Sequence, residues 1–143
     1  MEGRSNDPNL GAHSDLNLVT LLYQNDVNGL EIQNNDGEWI KVKFSPHSFI
    51  VVIGDSLSVL LNGRLPSPYH RVMMAAGNDK TRYSAGFFSY LKGGCEVKIP
   101  EELVNEQNPL LFKPFDFDEF FTSFLSEVRR GSSGLTLKTY CAV

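Results

Sequence analysis

His13 and Asp15 are separated by one residue in the stretch GAHSDLN, directly before an apolar run. Along an extended chain the side chains of residues i and i+2 point to the same face, so this imidazole and this carboxylate can reach one ion. Two ligands do not make a metal site, and such a triplet also occurs by chance. The alternative is a polar loop that leads into a strand, so a metal site requires a third ligand from elsewhere in the chain.

The third ligand has few candidates, because the chain contains three histidines. His47 follows Pro46 in the stretch SPHSF, a loop setting typical of a solvated histidine. His70 begins the alternating run in SPYHRVMM, where a sheet can fix its side chain. Two histidines and one carboxylate are the ligands of non-haem Fe(II) oxygenases, which keep coordination positions open. The metal hypothesis therefore rests on His13, Asp15 and His70; a metal-free sandwich with incidental histidines is the alternative.

Arg82 and Ser84 form a second pair with i, i+2 spacing, in the stretch TRYSAG. A guanidinium beside a hydroxyl suits a carboxylate, because the guanidinium can donate two parallel hydrogen bonds. The alternative is a surface arginine next to an unrelated polar serine. The runs that contain His70 and Arg82 flank the turn GNDKT, which predicts one hairpin across 69–91. A carboxylate held by Arg82 is then expected near an ion held by His70.

Strand signals dominate the first hundred residues. Residues with high β propensity fill 18–24, and 29–44 consists of two alternating runs around Asn35-Asp36-Gly37. This Asp-Gly pair suits a tight hairpin, because glycine readily adopts the positive φ that such a turn needs. The sequence therefore predicts a strand followed by a hairpin.

The segment 48–61 contains the apolar run FIVVI, which predicts a strand buried on both faces. Gly54-Asp55 interrupts it, and the pattern predicts a second strand that stops at Asn62-Gly63. Several short strands separated by turns indicate a sandwich or barrel.

A helix is predicted late in the chain, within 115–131. Asp116 and Glu119 have the spacing of a capping box, and Gly131 suits the left-handed position after a helix. Apolar residues recur at the spacing of one buried helical face, namely Phe117, Phe120, Phe121, Phe124 and Val128. We expect this helix to pack on the sheets.

The composition is that of an ordinary globular protein. With 143 residues, one domain across 1–143 is expected, and a net charge of −4 argues against nucleic-acid partners. The longest apolar stretch, 49–54, is too short to span a membrane, and MEGRSNDPNL lacks the apolar core of a secretory signal, so a cytoplasmic location is expected. Cys95 and Cys141 have no CxxC neighbour and are expected to be reduced thiols.

The combined pattern resembles a known family. His13 and Asp15, 54 intervening residues, His70, and then Arg82 to Ser84 are similar to the motif of the plant 2-oxoglutarate and Fe(II) dependent dioxygenases, which have the isopenicillin N synthase-like fold. The stretches DGEWIKVK, GDSLSVLLNGRLPSPYHRV and RYSAGFFS resemble most closely the branch that includes the alkenyl- and hydroxyalkyl-producing enzymes of glucosinolate side-chain modification.

This resemblance implies a mainly β fold, a double-stranded β-helix (jelly roll) with a C-terminal helix packed on the sheet. It implies that His13, Asp15 and His70 ligate Fe(II) and that Arg82 and Ser84 bind the distal carboxylate of the cosubstrate 2-oxoglutarate. The expected reaction converts 2-oxoglutarate to succinate and carbon dioxide and uses dioxygen to oxidise a small plant metabolite, such as a glucosinolate side chain. Ascorbate is the expected reductant, and a monomer is expected. Phe87 and Phe88 are candidates for the pocket wall, with ordinary core packing as the alternative.

Two features depart from the family pattern. Eleven residues separate His70 from Arg82, slightly more than is usual, and the excess falls in a turn. More importantly, family members are roughly twice as long, with an N-terminal region that supplies helices, the first strands of the core and a tyrosine near the keto acid. That region is missing from this sequence. A catalytically inactive truncated paralogue that keeps the jelly-roll core, with or without bound metal, is therefore the alternative function.

Overall fold

The structure of the protein is a computed structural model, and it describes residues 10–74, 80–131 and 134–143. Nine strands are present in these ranges: β1 (Leu10–His13), β2 (Val19–Gln24), β3 (Leu30–Gln33), β4 (Trp39–Lys41), β5 (Ile50–Ile53), β6 (His70–Val72), β7 (Ser84–Ser89), β8 (Glu96–Val97) and β9 (Phe115–Asp116). The helices are α1 (Asp55–Leu60), α2 (Phe117–Arg129) and α3 (Leu137–Cys141), with a 3₁₀ helix at Glu101–Leu103.

The strands form two main antiparallel sheets and a small third one. The four-stranded sheet has the order β1-β6-β3-β4, the three-stranded sheet has the order β5-β2-β7, and β8 pairs with β9. Residues of both main sheets line one internal cavity. The mainly β jelly-roll prediction is confirmed, and the space between the sheets is where their inward side chains can meet.

The predicted hairpin around Asn35-Asp36-Gly37 is confirmed. β3 and β4 pair in antiparallel register, with Glu31 opposite Lys41. Gly37 has a φ of +82°, a conformation that only glycine adopts at little cost.

The predicted second strand within 48–61 is wrong, because residues Asp55–Leu60 form helix α1. Hydrogen bonds from Ser58 N to Gly54 O and from Leu61 N to Leu57 O close helical turns, and Ser56 and Ser58 are fully buried. Both serines lie in a short helix that packs against α3.

The predicted hairpin across 69–91 is also wrong. β6 pairs with β1 and β3, whereas β7 pairs with β2 in the other sheet. The two runs therefore face each other across the cavity instead of lying side by side. Residues 75–79, which include most of the predicted turn, lie outside the described part of the chain.

Strand β5 is confirmed, but its predicted burial on both faces is wrong. Val52 is 4% exposed, whereas Val51 is 59% exposed. Among the described strands β5 pairs only with β2, at the edge of the three-stranded sheet, and its outer face is largely exposed at Val51.

Helix α2 is confirmed and begins where the sequence predicted. The side chain of Asp116 accepts hydrogen bonds from the backbone N–H groups of Asp118 and Glu119, at 2.8 and 3.1 Å. Phe117 and Phe120 are buried, but Phe121 is 39% and Val128 is 50% exposed, so the buried face is narrower than predicted.

The apolar core of the helical part joins α2 to its neighbours. Its buried members come from α1, β9, α2 and α3: Val59, Phe115, Phe117, Phe120, Leu137 and Cys141. Leu16 before β2 and Leu91 after β7 pack against this cluster, which connects α2 to the three-stranded sheet. Cys95 and Cys141 are unpaired thiols, as predicted. None of the helices in the described ranges is long and apolar enough to cross a bilayer.

Candidate metal centre

The structure brings His13, Asp15 and His70 together. His13 ends β1 and His70 begins β6, and the two are paired across these strands, with ring centroids 4.4 Å apart. Asp15 lies two residues beyond β1, and its Oδ1 atom is 3.7 Å from Nε2 of each histidine. One ligand atom from each residue lies within 4.8 Å of the others. Asp15 and His70, with 54 residues between them in the sequence, thus converge with His13 on one point.

Backbone carbonyls set which nitrogen of each imidazole faces this point. His13 Nδ1 lies 2.8 Å from Gly11 O, and His70 Nδ1 lies 3.4 Å from Pro68 O. A nitrogen that faces a carbonyl carries the proton, so the Nε2 lone pair is left for the other side. Both Nε2 atoms face Asp15, which is the arrangement that metal-binding histidines adopt.

The environment of His70 favours the neutral imidazole that a metal needs. Burial lowers the pKa of His70 below its usual value, the nearby His13 lowers it further, and Asp15 and the Pro68 carbonyl raise it in part. His13 is more open, with 38% of its side chain exposed, compared with 10% for Asp15 and His70. The centre therefore has a buried side and an open side.

The backbone carbonyl and the Oδ2 atom of Asp15 hold this residue in place through hydrogen bonds. Its backbone carbonyl accepts a hydrogen bond from Asp55 N at 2.7 Å, at the start of α1. Its Oδ2 atom accepts a hydrogen bond from the Thr20 hydroxyl at 2.5 Å, which leaves Oδ1 toward the two imidazoles. Helix α1, which the sequence pattern did not predict, thus fixes the backbone of a candidate ligand.

Ser84 begins β7 in the opposite sheet, Arg82 lies two residues before that strand, and both line the same cavity. Arg82 Nη1 donates to the Ser84 hydroxyl at 3.3 Å, and Nη2 donates to Gln24 Oε1 at 2.8 Å. Arg82 Nε is buried and has no hydrogen-bond partner among the described residues. Burial lowers the pKa of Arg82. A partly buried guanidinium with a free donor is suited to an anion in the cavity.

The cavity between the sheets has a volume of about 290 Å³. Phe88 is part of its wall, whereas Phe87, the other candidate, is 68% exposed and is not part of it. His47 is exposed in a loop, with a φ of +60°, and lies outside the site as expected. The lining combines the candidate ligands with apolar residues of both sheets: Leu10, His13, Asp15, Thr20, Leu22, Leu30, Val52, His70, Val72, Arg82, Ser84, Gly86 and Phe88.

Two contributors to the site were missed in the sequence, Thr20 and Gln24. Both lie on β2 and are buried, at 3% and 6% exposure. The signal was available, because Thr20, Leu22 and Gln24 share one face of an alternating strand, and buried polar side chains on such a face need partners.

The donor set fits a divalent transition metal. Two imidazole nitrogens and one carboxylate oxygen on one side, with the other side open to a cavity, match the donors of non-haem Fe(II) sites. The same donors also occur at catalytic zinc, so the ligands alone do not identify the metal. The guanidinium of Arg82 lines the same cavity as these donors.

Comparisons with known proteins agree with this geometry. Residues 3–90 match the family model of the 2OG-Fe(II) oxygenase superfamily. The 2-oxoglutarate-dependent dioxygenase AOP2 of Arabidopsis thaliana is 46% identical over 134 residues, which are 94% of this chain and 31% of that protein. The probable 2-oxoglutarate-dependent dioxygenase AOP1 of the same plant is 50% identical over 121 residues, 85% of this chain and 40% of that protein. The chain spans about a third of these relatives, a smaller share than the half expected from the sequence.

Solved structures show the same fold. The rice dioxygenase for auxin oxidation superimposes with a TM-score of 0.81 at 29% identity, over 94% of this chain and 45% of that one. JOX2, solved in complex with 2OG, Fe and JA, superimposes with a TM-score of 0.72 at 36% identity, over 87% of this chain and 38% of that one. The family match covers more than half of the chain, including all three candidate metal ligands and the Arg82 pair. The chain therefore belongs to the 2OG-Fe(II) oxygenase superfamily.

Proposed function

We propose that this chain is the catalytic portion of an Fe(II)- and 2-oxoglutarate-dependent dioxygenase. His13, Asp15 and His70 would hold Fe(II), and Arg82 with Ser84 would hold the distal carboxylate of 2-oxoglutarate. The observation that carries this proposal is the pairing, in one cavity, of three metal donors within 4.8 Å of one another with a partly buried guanidinium whose Nε has no partner among the described residues.

Bound iron with 2-oxoglutarate supplies the oxidising chemistry: dioxygen is reduced while the keto acid becomes succinate and carbon dioxide. The residues of the chain provide placement. The imidazole Nε2 atoms and Asp15 Oδ1 occupy one side of the centre and leave the cavity side open. Arg82, from the opposite sheet, orients the anionic cosubstrate, and the apolar walls of the cavity limit access of water.

A small plant metabolite is the proposed substrate class, and a glucosinolate side chain is the proposed specific case. The similarity to the AOP dioxygenases of Arabidopsis thaliana supports both. The cavity between the sheets, with a volume of about 290 Å³, is at the lower limit of small-molecule pockets, which is consistent with a small substrate. We also propose ascorbate as the reductant, a cytoplasmic location and a monomeric state, which rest on the family resemblance and the sequence composition.

The second candidate function is a jelly-roll protein that turns over nothing. One observation favours it: a similar protein of Arabidopsis thaliana, 46% identical over 134 residues, is called a probable inactive 2-oxoglutarate-dependent dioxygenase AOP2. In this alternative the metal ligands remain while catalysis is lost.

Release of labelled succinate from labelled 2-oxoglutarate tests the proposal. Purified protein is incubated with Fe(II), ascorbate and 2-oxoglutarate, without and with candidate glucosinolates. Arg82→Ala is the site variant, and His47→Ala, which removes an exposed histidine outside the site, is the control. We expect succinate from the wild type and His47→Ala, and little from Arg82→Ala. Iron binding without succinate would favour the inactive alternative, and equal turnover by Arg82→Ala would contradict the assigned role of Arg82.

A further inference from the structure

Two buried polar residues outside the proposed ligand set lie beside the metal centre. Thr20 is 3% exposed and Asn17 is 1% exposed. A buried hydroxyl and a buried amide are costly unless they are paired, so their partners indicate what they do. Hydrogen bonds connect Asn17 to Thr20 and Thr20 to the carboxylate of Asp15.

The chain of hydrogen bonds has a defined polarity. Asn17 Nδ2, which can only donate, donates to Thr20 Oγ1 at 2.9 Å and to Val19 O at 3.0 Å. The Thr20 hydroxyl can then use its proton on Asp15 Oδ2 at 2.5 Å or on Asn17 Oδ1 at 3.4 Å. The carboxylate is nearer and charged, so it receives the proton. Thr20 therefore donates to Asp15 while its own oxygen is held by Asn17.

Asn17 is fixed in turn by the first turn of α1 and by Gly54 before it. The backbone carbonyl of Asn17 accepts a hydrogen bond from Ser56 N at 3.2 Å. Gly54 approaches so closely that a Cβ at this position would lie 2.0 Å from Asn17 O and 2.6 Å from Asn17 Oδ1. Only glycine fits, and this close packing restricts the direction of the Asn17 amide. A chain of hydrogen bonds thus runs from α1 through Asn17 and Thr20 to Asp15.

We infer that Thr20 is a positioning residue for the metal centre, acting through Asp15. Its hydroxyl donates a hydrogen bond to Asp15 Oδ2. This orients the carboxylate so that Oδ1 alone faces Nε2 of His13 and of His70. This role rests on the proposed function, because it takes the point between these three atoms to be the iron position.

The number of Asp15 oxygens that face the proposed iron position determines how many coordination positions of the ion this residue fills. A carboxylate can bind a metal through one oxygen or through two. If both oxygens of Asp15 bound the ion, one position needed by the keto acid or dioxygen would be filled. Thr20 occupies the second oxygen and so favours binding through one.

The test compares Thr20→Val, which keeps the side-chain shape and removes the hydroxyl, with Thr20→Ser, which keeps the hydroxyl. Thr122→Val in α2 is the matched control, since Thr122 is exposed and outside the cavity. Fe(II) affinity is measured anaerobically by equilibrium dialysis on the full chain. We expect affinity to fall about 10- to 100-fold in Thr20→Val, as for other residues that orient metal ligands, and to be restored in Thr20→Ser and unchanged in Thr122→Val.

A metal-free readout separates this inference from the proposed function. Crystal structures of the metal-free wild type and Thr20→Val should show the Asp15 carboxylate turned away from its wild-type direction in the variant. Thermal unfolding without metal reports any general loss of stability, and Thr20→Ala replaces Thr20→Val if the latter does not fold. Wild-type affinity together with an unmoved Asp15 would overturn the inference. If the wild type binds no iron, the proposed function fails, and the direction of Asp15 in the metal-free structures still decides the role of Thr20.

Discussion

Gln24 Oε1, at the end of β2, accepts a hydrogen bond at 2.8 Å from Nη2 of Arg82, which lies two residues before β7. Gln24 is 6% exposed, and its Nε2 atom donates to Val27 O at 2.8 Å, which fixes the direction of the amide. Its Cα is paired in register with that of Ser84, the other proposed contact for the cosubstrate carboxylate. The guanidinium is therefore aimed by a buried amide and not by a carboxylate, so its positive charge is left for an anion.

Replacing Gln24 with leucine is expected to weaken 2-oxoglutarate binding about tenfold, because a hydrogen bond to a charged group contributes about 1.5–3 kcal/mol and the guanidinium loses its fixed direction. Fe(II) affinity should be unchanged, since the hydrogen bonds of the Gln24 side chain go to Arg82 and to backbone carbonyls, not to a candidate metal ligand. Anaerobic calorimetric titration measures both affinities, with Fe(II) added to the metal-free protein and 2-oxoglutarate added to the iron-loaded protein. Gln107→Leu, at an exposed loop position, is the control. Unchanged affinity for the keto acid in Gln24→Leu would show that Arg82 needs no such support.

Phe120 and Phe121 are adjacent in α2 but differ in burial, at 0% and 39% exposure. Phe120→Ala should lower the free energy of unfolding by about 3–5 kcal/mol, because it opens a cavity in the cluster that joins α1, α2 and α3. Phe121→Ala should cost much less. Urea unfolding followed by circular dichroism gives both values. Equal losses for the two variants would contradict the narrow buried face of α2.

The two cysteines should differ in reactivity. Burial raises the pKa of the Cys141 thiol to about 11, whereas Cys95 is exposed. A thiol reagent at pH 9 should therefore modify Cys95 in the folded protein and reach Cys141 only after unfolding. Because the folded pKa of this acid lies above its unfolded value of 9.0, the contribution of Cys141 to stability is present below pH 9 and is lost as the pH rises toward 11. Rapid modification of Cys141 at pH 9 would contradict its burial. Cys141→Ser, which also removes the alkaline loss, is the control.

The sequence predicted the candidate ligands because their signals are local. The i, i+2 spacing of His13 and Asp15 and the strand setting of His70 are properties of short stretches. The capping residue Asp116 and the turn at Gly37 were likewise read from side-chain chemistry within a few residues. All of these depend on contacts close in sequence.

The errors concern contacts between distant parts of the chain. The runs of His70 and Arg82 lie in two sheets because other strands pair with them. β1 and β3 pair with the two edges of β6, and β2 pairs with β7. The helix at Asp55–Leu60 packs against α3, which lies far along the chain and does not enter the local pattern of 48–61. Thr20 and Gln24 were missed because their partners, Asp15 and Arg82, become neighbours only after the sheets form.

The metal centre itself is tested most directly by Fe(II) binding to His70→Ala. Equilibrium dialysis under anaerobic conditions compares this variant with the wild type and with His47→Ala, which removes an exposed histidine outside the site. We predict one tightly bound ferrous ion per chain for the wild type and His47→Ala, and loss of this binding in His70→Ala. If His70→Ala binds Fe(II) as tightly as the wild type does, His13, Asp15 and His70 are not the iron ligands.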